Sequence, residues 1–103
     1  MNARYVVAVQ LTGPPARDRN PHPATVVDLL WAHATTADRL DHVRAPALVT
    51  ADELELVVLL RAESASDAAR TAEGLFSRAT RSPALSGWHT AALSVLPLAT
   101  LDS

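Results

Sequence analysis

The sequence predicts an α+β fold with four strands and two helices, in the order strand, helix, strand, strand, helix, strand. Its strongest signal is the apolar stretch Leu54–Ala62, which runs directly into a Ser- and Asp-containing helix start. A second signal is Arg4–Leu11, which is rich in valine and stops at a Gly-Pro-Pro sequence. Two further stretches carry apolar residues at helical spacing, and each lies between two predicted strands.

A polar, proline-rich segment, residues 12–24, connects the first strand to the first helix. It holds four prolines, and connections of this length in a small domain are usually functional or mobile loops. The first helix is predicted to begin at Thr25, whose hydroxyl can cap it, and to end near Asp38 or Arg39. Its apolar residues, including Trp31, are expected to face the sheet.

The second strand is predicted over Leu40–Leu48 and forms a hairpin with the third, Leu54–Ala62. A polar turn of four to five residues joins the two strands. Pro46 has no amide hydrogen to donate, so a strand that contains it is tolerated only at a sheet edge or a bulge. The second strand is therefore expected at the edge of the sheet.

The second helix is predicted to begin after Ser64 or Ser66 and to stop at Ser82, before a proline. Its alanines, with a leucine and a phenylalanine, form an apolar stripe at helical spacing. The last strand is predicted over Trp88–Leu96. The tail, residues 98–103, is expected to be loose.

This order of elements resembles the ferredoxin-like βαββαβ fold, a four-stranded antiparallel sheet with two helices on one face. In that fold the first and third strands are central and the second and fourth lie at the edges. The sequence agrees, because the first and third strands are the most apolar and Pro46 lies in the second. The resemblance covers nearly the whole chain and is topological, without a family motif.

Composition narrows the classes of function. The 103 residues are expected to form one domain, 1–103, long enough to bury a core without a disulfide or a metal. The chain has no cysteine, a net charge of −2 and only arginine among its strong bases. There is no basic face for nucleic acid and no apolar run that would span a membrane. A small cytoplasmic protein from a GC-rich bacterium is expected.

The second face of the third predicted strand indicates a partner. Glu55, Val57, Leu59 and Arg61 alternate with the expected core residues, and this row is apolar in its middle and charged only at its ends. A strand with one solvated face should be polar throughout on that face. These four residues are therefore predicted to lie in a homodimer interface in which two sheets face each other. The alternative is a monomer that exposes small residues and a few valines.

A sheet-to-sheet dimer of this topology is similar to the dimeric α/β-barrel proteins, which include cofactor-independent monooxygenases, polyketide cyclases and haem-degrading enzymes. The resemblance implies a pocket between sheet and helices, lined by residues such as His, Trp, Tyr or Arg. No motif of that family matches this chain residue by residue. No catalytic residue is therefore assigned, and no cofactor is predicted.

Four residues near the strand edges are candidates for ligand binding. His42 and Arg44 share one face of the second strand, and Trp88 and His89 begin the fourth. If the two strands flank one cavity, histidine offers a proton near neutral pH and arginine a bidentate clamp for an anionic or aromatic ligand. The alternative is that they keep the sheet edges polar. The four histidines show no metal-site spacing, so no metal is predicted.

Two functions follow from these observations. The leading hypothesis is a small homodimeric binding or accessory protein that holds a small molecule or a protein partner without catalysis. The alternative is a cofactor-independent enzyme of the dimeric α/β-barrel type that acts on an aromatic or polyketide-like substrate. The enzyme requires an enclosed pocket between sheet and helices that is reached by His33, His42 or His89. A subunit of a larger hetero-complex is a third possibility.

Overall fold

The computed structural model describes residues 3–13, 23–50 and 53–97 and has the four strands and two helices in the predicted order. The strands are β1 (Ala3–Thr12), β2 (Leu40–Thr50), β3 (Glu53–Ala62) and β4 (His89–Pro97), and the helices are α1 (Pro23–His33) and α2 (Ala65–Ala79). Single 3-10 turns, Thr36–Asp38 and Pro83–Leu85, follow the two helices. Most of the predicted loop, 14–22, and the whole predicted tail, 98–103, lie outside the described residues.

The sheet has the strand order β2-β3-β1-β4, and each neighbouring pair is antiparallel. The two most apolar strands, β1 and β3, lie in the centre and pair along their full length, with Val7 opposite Val58 and Val9 opposite Leu56. This is the ferredoxin-like topology that the sequence predicts. The alternating positions of the central strands therefore form two faces with different neighbours.

The core lies between one face of the sheet and both helices. On this face every second residue of β3 from Leu54 to Ala62 is buried, and so are Val7, Val9 and Leu11 of β1, while Tyr5 is partly buried. The side of α2 that packs on the sheet consists mainly of small residues and is entirely buried: Ala68, Ala72, Leu75, Phe76 and Ala79. Alanines let the helix axis approach the sheet closely, so a core with few aromatic rings can still be filled.

Helix α1 is shorter than predicted at its C-terminal end. It begins at Pro23, two residues before the predicted start, and proline is well suited to the first helical position. It ends at His33 instead of near Asp38 or Arg39, because the backbone of Thr35 is extended and a separate 3-10 turn follows. The carboxylate of Asp38 accepts a hydrogen bond from the Thr35 backbone N–H, at 2.8 Å, which stabilises this break.

The prediction that Trp31 faces the sheet is wrong, since its side chain is 44% exposed. Among the α1 side chains that the structure describes, residues 24–33, Val26 and Leu30 are the fully buried ones. The helix contacts β2, the edge strand. The neighbouring row of helix positions, Val27, Trp31 and Ala34, is consequently only partly covered.

Strand β2 has the irregular edge position that Pro46 predicts. It pairs only with β3, and its register shifts between Arg44, opposite Val57, and Ala47, opposite Glu55. The bulge accommodates a residue that cannot donate to the ladder. The hairpin connection is shorter than predicted, because only residues 51 and 52 separate the two strands.

A second bulge, in β4, changes which residues of that strand lie on each face of the sheet. Gln10 pairs with Ala92, but the next residue of β1, Leu11, pairs with Thr90, so Ala91 is an extra residue in the ladder. Simple alternation along the sequence would place Thr90 and Ala92 on the same face. The bulge instead puts Thr90 in register with the buried Leu11, which sequence periodicity cannot show.

Gly13, directly after β1, lies against the ring of Trp88. A Cβ atom at Gly13 would lie 2.3 Å from Cδ2 of Trp88, which is closer than any real contact. Trp88 is only 6% exposed and its backbone N–H donates to the carbonyl of Leu85 at 2.9 Å. Only glycine permits this close approach, so the strand end and the indole ring are packed together.

We expect Gly13→Ala to lower the free energy of unfolding by about 1–3 kcal/mol, because the indole ring must move to accommodate the methyl group. Gly74→Ala in α2 is the matched control. Its Cβ would lie 3.5 Å from the flexible end of Arg78, and alanine should stabilise the helix by about 0.5–1 kcal/mol. Urea unfolding monitored by tryptophan fluorescence measures both. Equal stability of the two variants would contradict this packing.

Candidate functional site

The second face of the sheet, called the open face here, is the side of β1, β3 and their neighbours that the helices do not cover. Its central rows follow from the strand registers. Val6 is opposite both Leu59 and Leu96, and Ala8 is opposite Val57. These paired side chains form one continuous apolar patch across three strands.

The apolar patch is incompletely buried. Leu96 is 51% exposed, and Val6, Ala8, Val57 and Leu59 are each half-buried although they lie in the two central strands. The residues that alternate with them in the middle of the central strands are fully buried: Val7, Val9, Leu56, Val58 and Leu60. A contiguous apolar patch in the middle of a sheet is typical of a surface that binds another molecule.

One end of the open face is rich in arginine. Arg4 and Arg61 are opposite each other in β1 and β3. The carboxylate of Asp41 lies between them, 3.2 Å from Nε of Arg61 and 3.8 Å from Nε of Arg4. Two guanidinium groups share one carboxylate, so these three side chains together carry a net positive charge.

The other end of the open face is acidic. Glu55 is opposite Gln10, and Glu53 lies two residues before Glu55 on the same face of β3. The amide Nε2 of Gln10 donates a hydrogen bond to Oε2 of Glu53, at 2.9 Å. No basic side chain among the described residues forms an ion pair with Glu53 or Glu55. The open face therefore has an apolar centre between ends of opposite charge.

The four predicted interface residues, Glu55, Val57, Leu59 and Arg61, all lie on this face, with the charged pair at its two ends. Val57 and Leu59 belong to the half-buried centre. Their role in an interface stays a prediction.

The structure divides the four predicted ligand residues between opposite edges of the sheet. His42 and Arg44 are exposed on the open face at β2, opposite Leu59 and Val57. β4 lies at the other edge, beyond β3 and β1. Three strand spacings separate the two edges, about 14 Å.

The remaining two ligand candidates have different surroundings. Trp88 is buried in the core next to Gly13. His89 is exposed and lines a shallow depression beside α2, with Glu73, Ser77 and Thr80. The four residues are not brought together, and their ligand-binding role stays a prediction.

The space between the sheet and the helices is filled with apolar side chains. The cluster there includes Leu30, Phe76 and the buried leucines of β3, each without solvent exposure. His42 and His89 are on the surface, and His33 contributes its backbone carbonyl, which accepts from Nε of Arg78 at 3.4 Å. Within the described residues, this packing gives no support to the enclosed pocket that the enzyme alternative requires.

A partly buried ion pair, Asp38–Arg78, is the site feature that the sequence analysis missed. Asp38 is 7% exposed, and its Oδ2 accepts from Nη2 of Arg78 at 2.6 Å as well as from the Thr35 backbone. The available signal was the spacing of Thr35 and Asp38, which fits a capping box. Because both lay inside a predicted helix, this signal was not used.

The ion pair lies at the edge of an open groove with a volume of about 410 Å³. The groove runs between the 3-10 turn Thr36–Asp38, the end of β3 and one side of α2 from Asp67 to Arg78. Four arginines and three acidic residues line it: Arg39, Arg61, Arg70, Arg78, Asp38, Glu63 and Asp67. Sequence periodicity gave no sign of it, because its residues come from three separate elements.

Comparisons with known proteins identify the fold and nothing finer. An uncharacterized protein from Thermotoga maritima is 13% identical, with a TM-score of 0.45 over 95% of this chain and 99% of that one. A hydantoinase/carbamoylase family amidase from Burkholderia ambifaria is 19% identical, with a TM-score of 0.50 over 92% of this chain. The alignment spans only 28% of the amidase. No family model and no curated protein matches the sequence.

No group of three or more His, Cys, Asp or Glu side chains in residues 3–13, 23–50 and 53–97 is placed to hold a metal ion. No helix in the same ranges is long and apolar enough to cross a membrane.

We expect Asp38→Ala to lower the free energy of unfolding by about 2 kcal/mol, because it leaves Arg78 and the Thr35 N–H without their shared acceptor. Arg70→Ala is the control, since it breaks an exposed pair with Asp67 at 3.7 Å that is worth at most about 0.5 kcal/mol. Urea unfolding measures the difference. The ion pair would not be stabilising if both variants unfolded at the same midpoint.

Proposed function

We propose that this protein is a non-catalytic, homodimeric binding protein whose two subunits pack through the open faces of their sheets. The observation that carries the proposal is the half-buried apolar centre, Val6, Val57, Leu59 and Leu96, lying between an arginine end and a carboxylate end. Burying it would remove these side chains from water and contribute about 25 cal/mol per Å² of apolar surface.

Charge favours a second copy of this chain as the occupant. A two-fold axis that lies parallel to the sheets and across the strands would place the arginine end of each subunit over the carboxylate end of the other. Arg4 and Arg61 would then face Glu53 and Glu55 of the partner subunit. An axis along the strands would instead bring like charges together. The face is thus self-complementary in one orientation, as an isologous interface requires.

Three of the four proposed ligand residues, His42, Arg44 and His89, lie outside the core, whereas Trp88 lies within it. The filled space between sheet and helices favours binding over an enzymatic pocket. His42 and Arg44 are exposed at the β2 margin of the open face, where they would border the dimer interface and remain able to contact a small molecule or a protein. We propose a cytoplasmic location, with which a chain without cysteine is compatible.

We expect the wild-type protein to have a solution mass near twice 10.9 kDa and the Leu59→Glu variant to be monomeric, because a buried carboxylate in the apolar centre is strongly unfavourable. Light scattering at micromolar concentration measures both masses. Trp31→Glu is the matched control, since Trp31 is the large exposed apolar residue of the helix layer. Circular dichroism establishes that each variant is folded.

A monomeric wild-type protein would refute the dimer. A monomeric Trp31→Glu variant together with a dimeric Leu59→Glu variant would move the interface to the helices. Large, ill-defined oligomers of the wild-type protein would favour a missing subunit of a hetero-complex.

The orientation of the two sheets is tested by exchanging charges. We expect Arg61→Glu to weaken the dimer, because it places a carboxylate over the acidic end of the partner subunit. The double variant Arg61→Glu/Glu55→Arg should recover affinity, since opposite charges again face each other. Sedimentation equilibrium at low salt measures the dissociation constants. A double variant no tighter than the single one would contradict the crossed arrangement of the two ends.

A further inference from the structure

We infer that the groove beside the Asp38–Arg78 ion pair is a binding site for a small organic anion that carries a phosphate or carboxylate group. Its residues belong to the 3-10 turn Thr36–Asp38 and the adjoining Arg39, to the end of β3 and the adjoining Glu63, and to α2 from Asp67 to Arg78. It is separate from the apolar centre of the open face. The inference does not rest on the dimer.

Arg78 is held in place as one of the anion-binding groups. Its Nη2 donates to buried Asp38 at 2.6 Å and its Nε donates to the carbonyl of His33 at 3.4 Å. A guanidinium has five N–H donors, so three are left for a ligand. Nη1 lies beside Gly74, 3.5 Å from where a Cβ would stand. The missing side chain leaves this nitrogen accessible from the groove.

Arg39 supplies a second guanidinium, which has no salt bridge or hydrogen bond to any side chain among the described residues. The backbone of Arg39 is left-handed, with φ 52° and ψ 41°. Arg39 is the one non-glycine residue with a positive φ in the described part of the chain. The conformation is fixed by two hydrogen bonds, to the carbonyl of Thr36 and from the N–H of Arg61. Glycine would adopt it at lower cost. The presence of arginine here is consistent with a role for its side chain.

Most charges of the groove lining are engaged in ion pairs. Asp38 is engaged by Arg78, and Asp67 lies 3.7 Å from Arg70. Four arginines face three carboxylates in the lining, but Arg61 also pairs with Asp41 outside the groove. Arg39 is therefore the lining arginine without an ion pair among the described residues. Glu63 is the lining carboxylate without an ion pair among the described residues. The negative charge of Glu63 should repel an anionic ligand and weaken its binding.

Two guanidinium groups define the class of ligand. Arginine binds the planar carboxylate or the phosphate group through paired hydrogen bonds. A groove of about 410 Å³ is within the range of small-molecule sites. The shared chemistry is therefore an anionic oxygen group on a small molecule, and inorganic phosphate and succinate distinguish the phosphate from the carboxylate.

The test is a titration of the full-length protein with sodium phosphate and, separately, sodium succinate, followed by two-dimensional NMR of the backbone amides. Sodium chloride at matched ionic strength is the reference. We expect saturable shifts of the Arg39, Thr71 and Gly74 amides with at least one of the two anions. Shifts that follow ionic strength alone for both anions would overturn the inference.

Three variants separate binding from folding. Arg39→Gly removes the guanidinium and relieves the left-handed backbone, so it should fold at least as stably as wild type and bind about tenfold more weakly. Glu63→Gln removes the opposing carboxylate and should bind more tightly. Arg81→Gln, an exposed arginine outside the groove, should bind like wild type.

Unchanged affinity in Arg39→Gly, or an equal loss in Arg81→Gln, would overturn the assignment of the site. The same titration on the Leu59→Glu variant keeps the two proposals distinguishable. Anion binding by a monomeric variant supports the groove whatever the oligomeric state, and loss of binding only in that variant would contradict a site contained in one chain.

Discussion

The antiparallel pairing of β1 with β3 is the constraint on which the rest of the structure depends. The ten residue pairs from Ala3–Ala62 to Thr12–Glu53 fix which side chains face the helices and which face away. A shift of one residue in this register would turn the core leucines toward solvent. The buried residues that face the helices keep this register in place. The residues on the opposite face of the same strands must therefore form a partly exposed, partly apolar surface, because a change of register that buried them would expose the core.

The end of β3 connects the two proposed sites. Arg61 is the last exposed residue of the open face, where it pairs with Asp41, and its backbone N–H donates to Arg39 at the edge of the groove. A change in the position of this strand end would therefore alter the contacts of Arg61 at both the open face and the groove. The arginine groove and the open face are chemically different, yet they share one residue and one short piece of backbone.

The architecture was accessible from sequence because it depends on periodicity and on proline. The resemblance to the ferredoxin-like fold implied the strand order, and the apolar rows of β1 and β3 and the edge position required by Pro46 agreed with it. The groove was not accessible in the same way. Arg39 and Arg78 are far apart in sequence, and the turn that joins them through Asp38 was hidden inside a predicted helix. The exposure of Trp31 was also missed, because helical spacing gives a row of residues and not the width of the sheet beneath it.

The irregular edge strand β2 has a consequence for how the protein behaves at high concentration. Its bulges and Pro46 interrupt the ladder of backbone donors and acceptors that a neighbouring chain would need to add a strand. Growth of one continuous sheet from molecule to molecule is disfavoured along that side. A contact between the open faces of two sheets, by contrast, would leave no open face to which a third copy could bind. The geometry thus allows closed pairs and works against open-ended fibres.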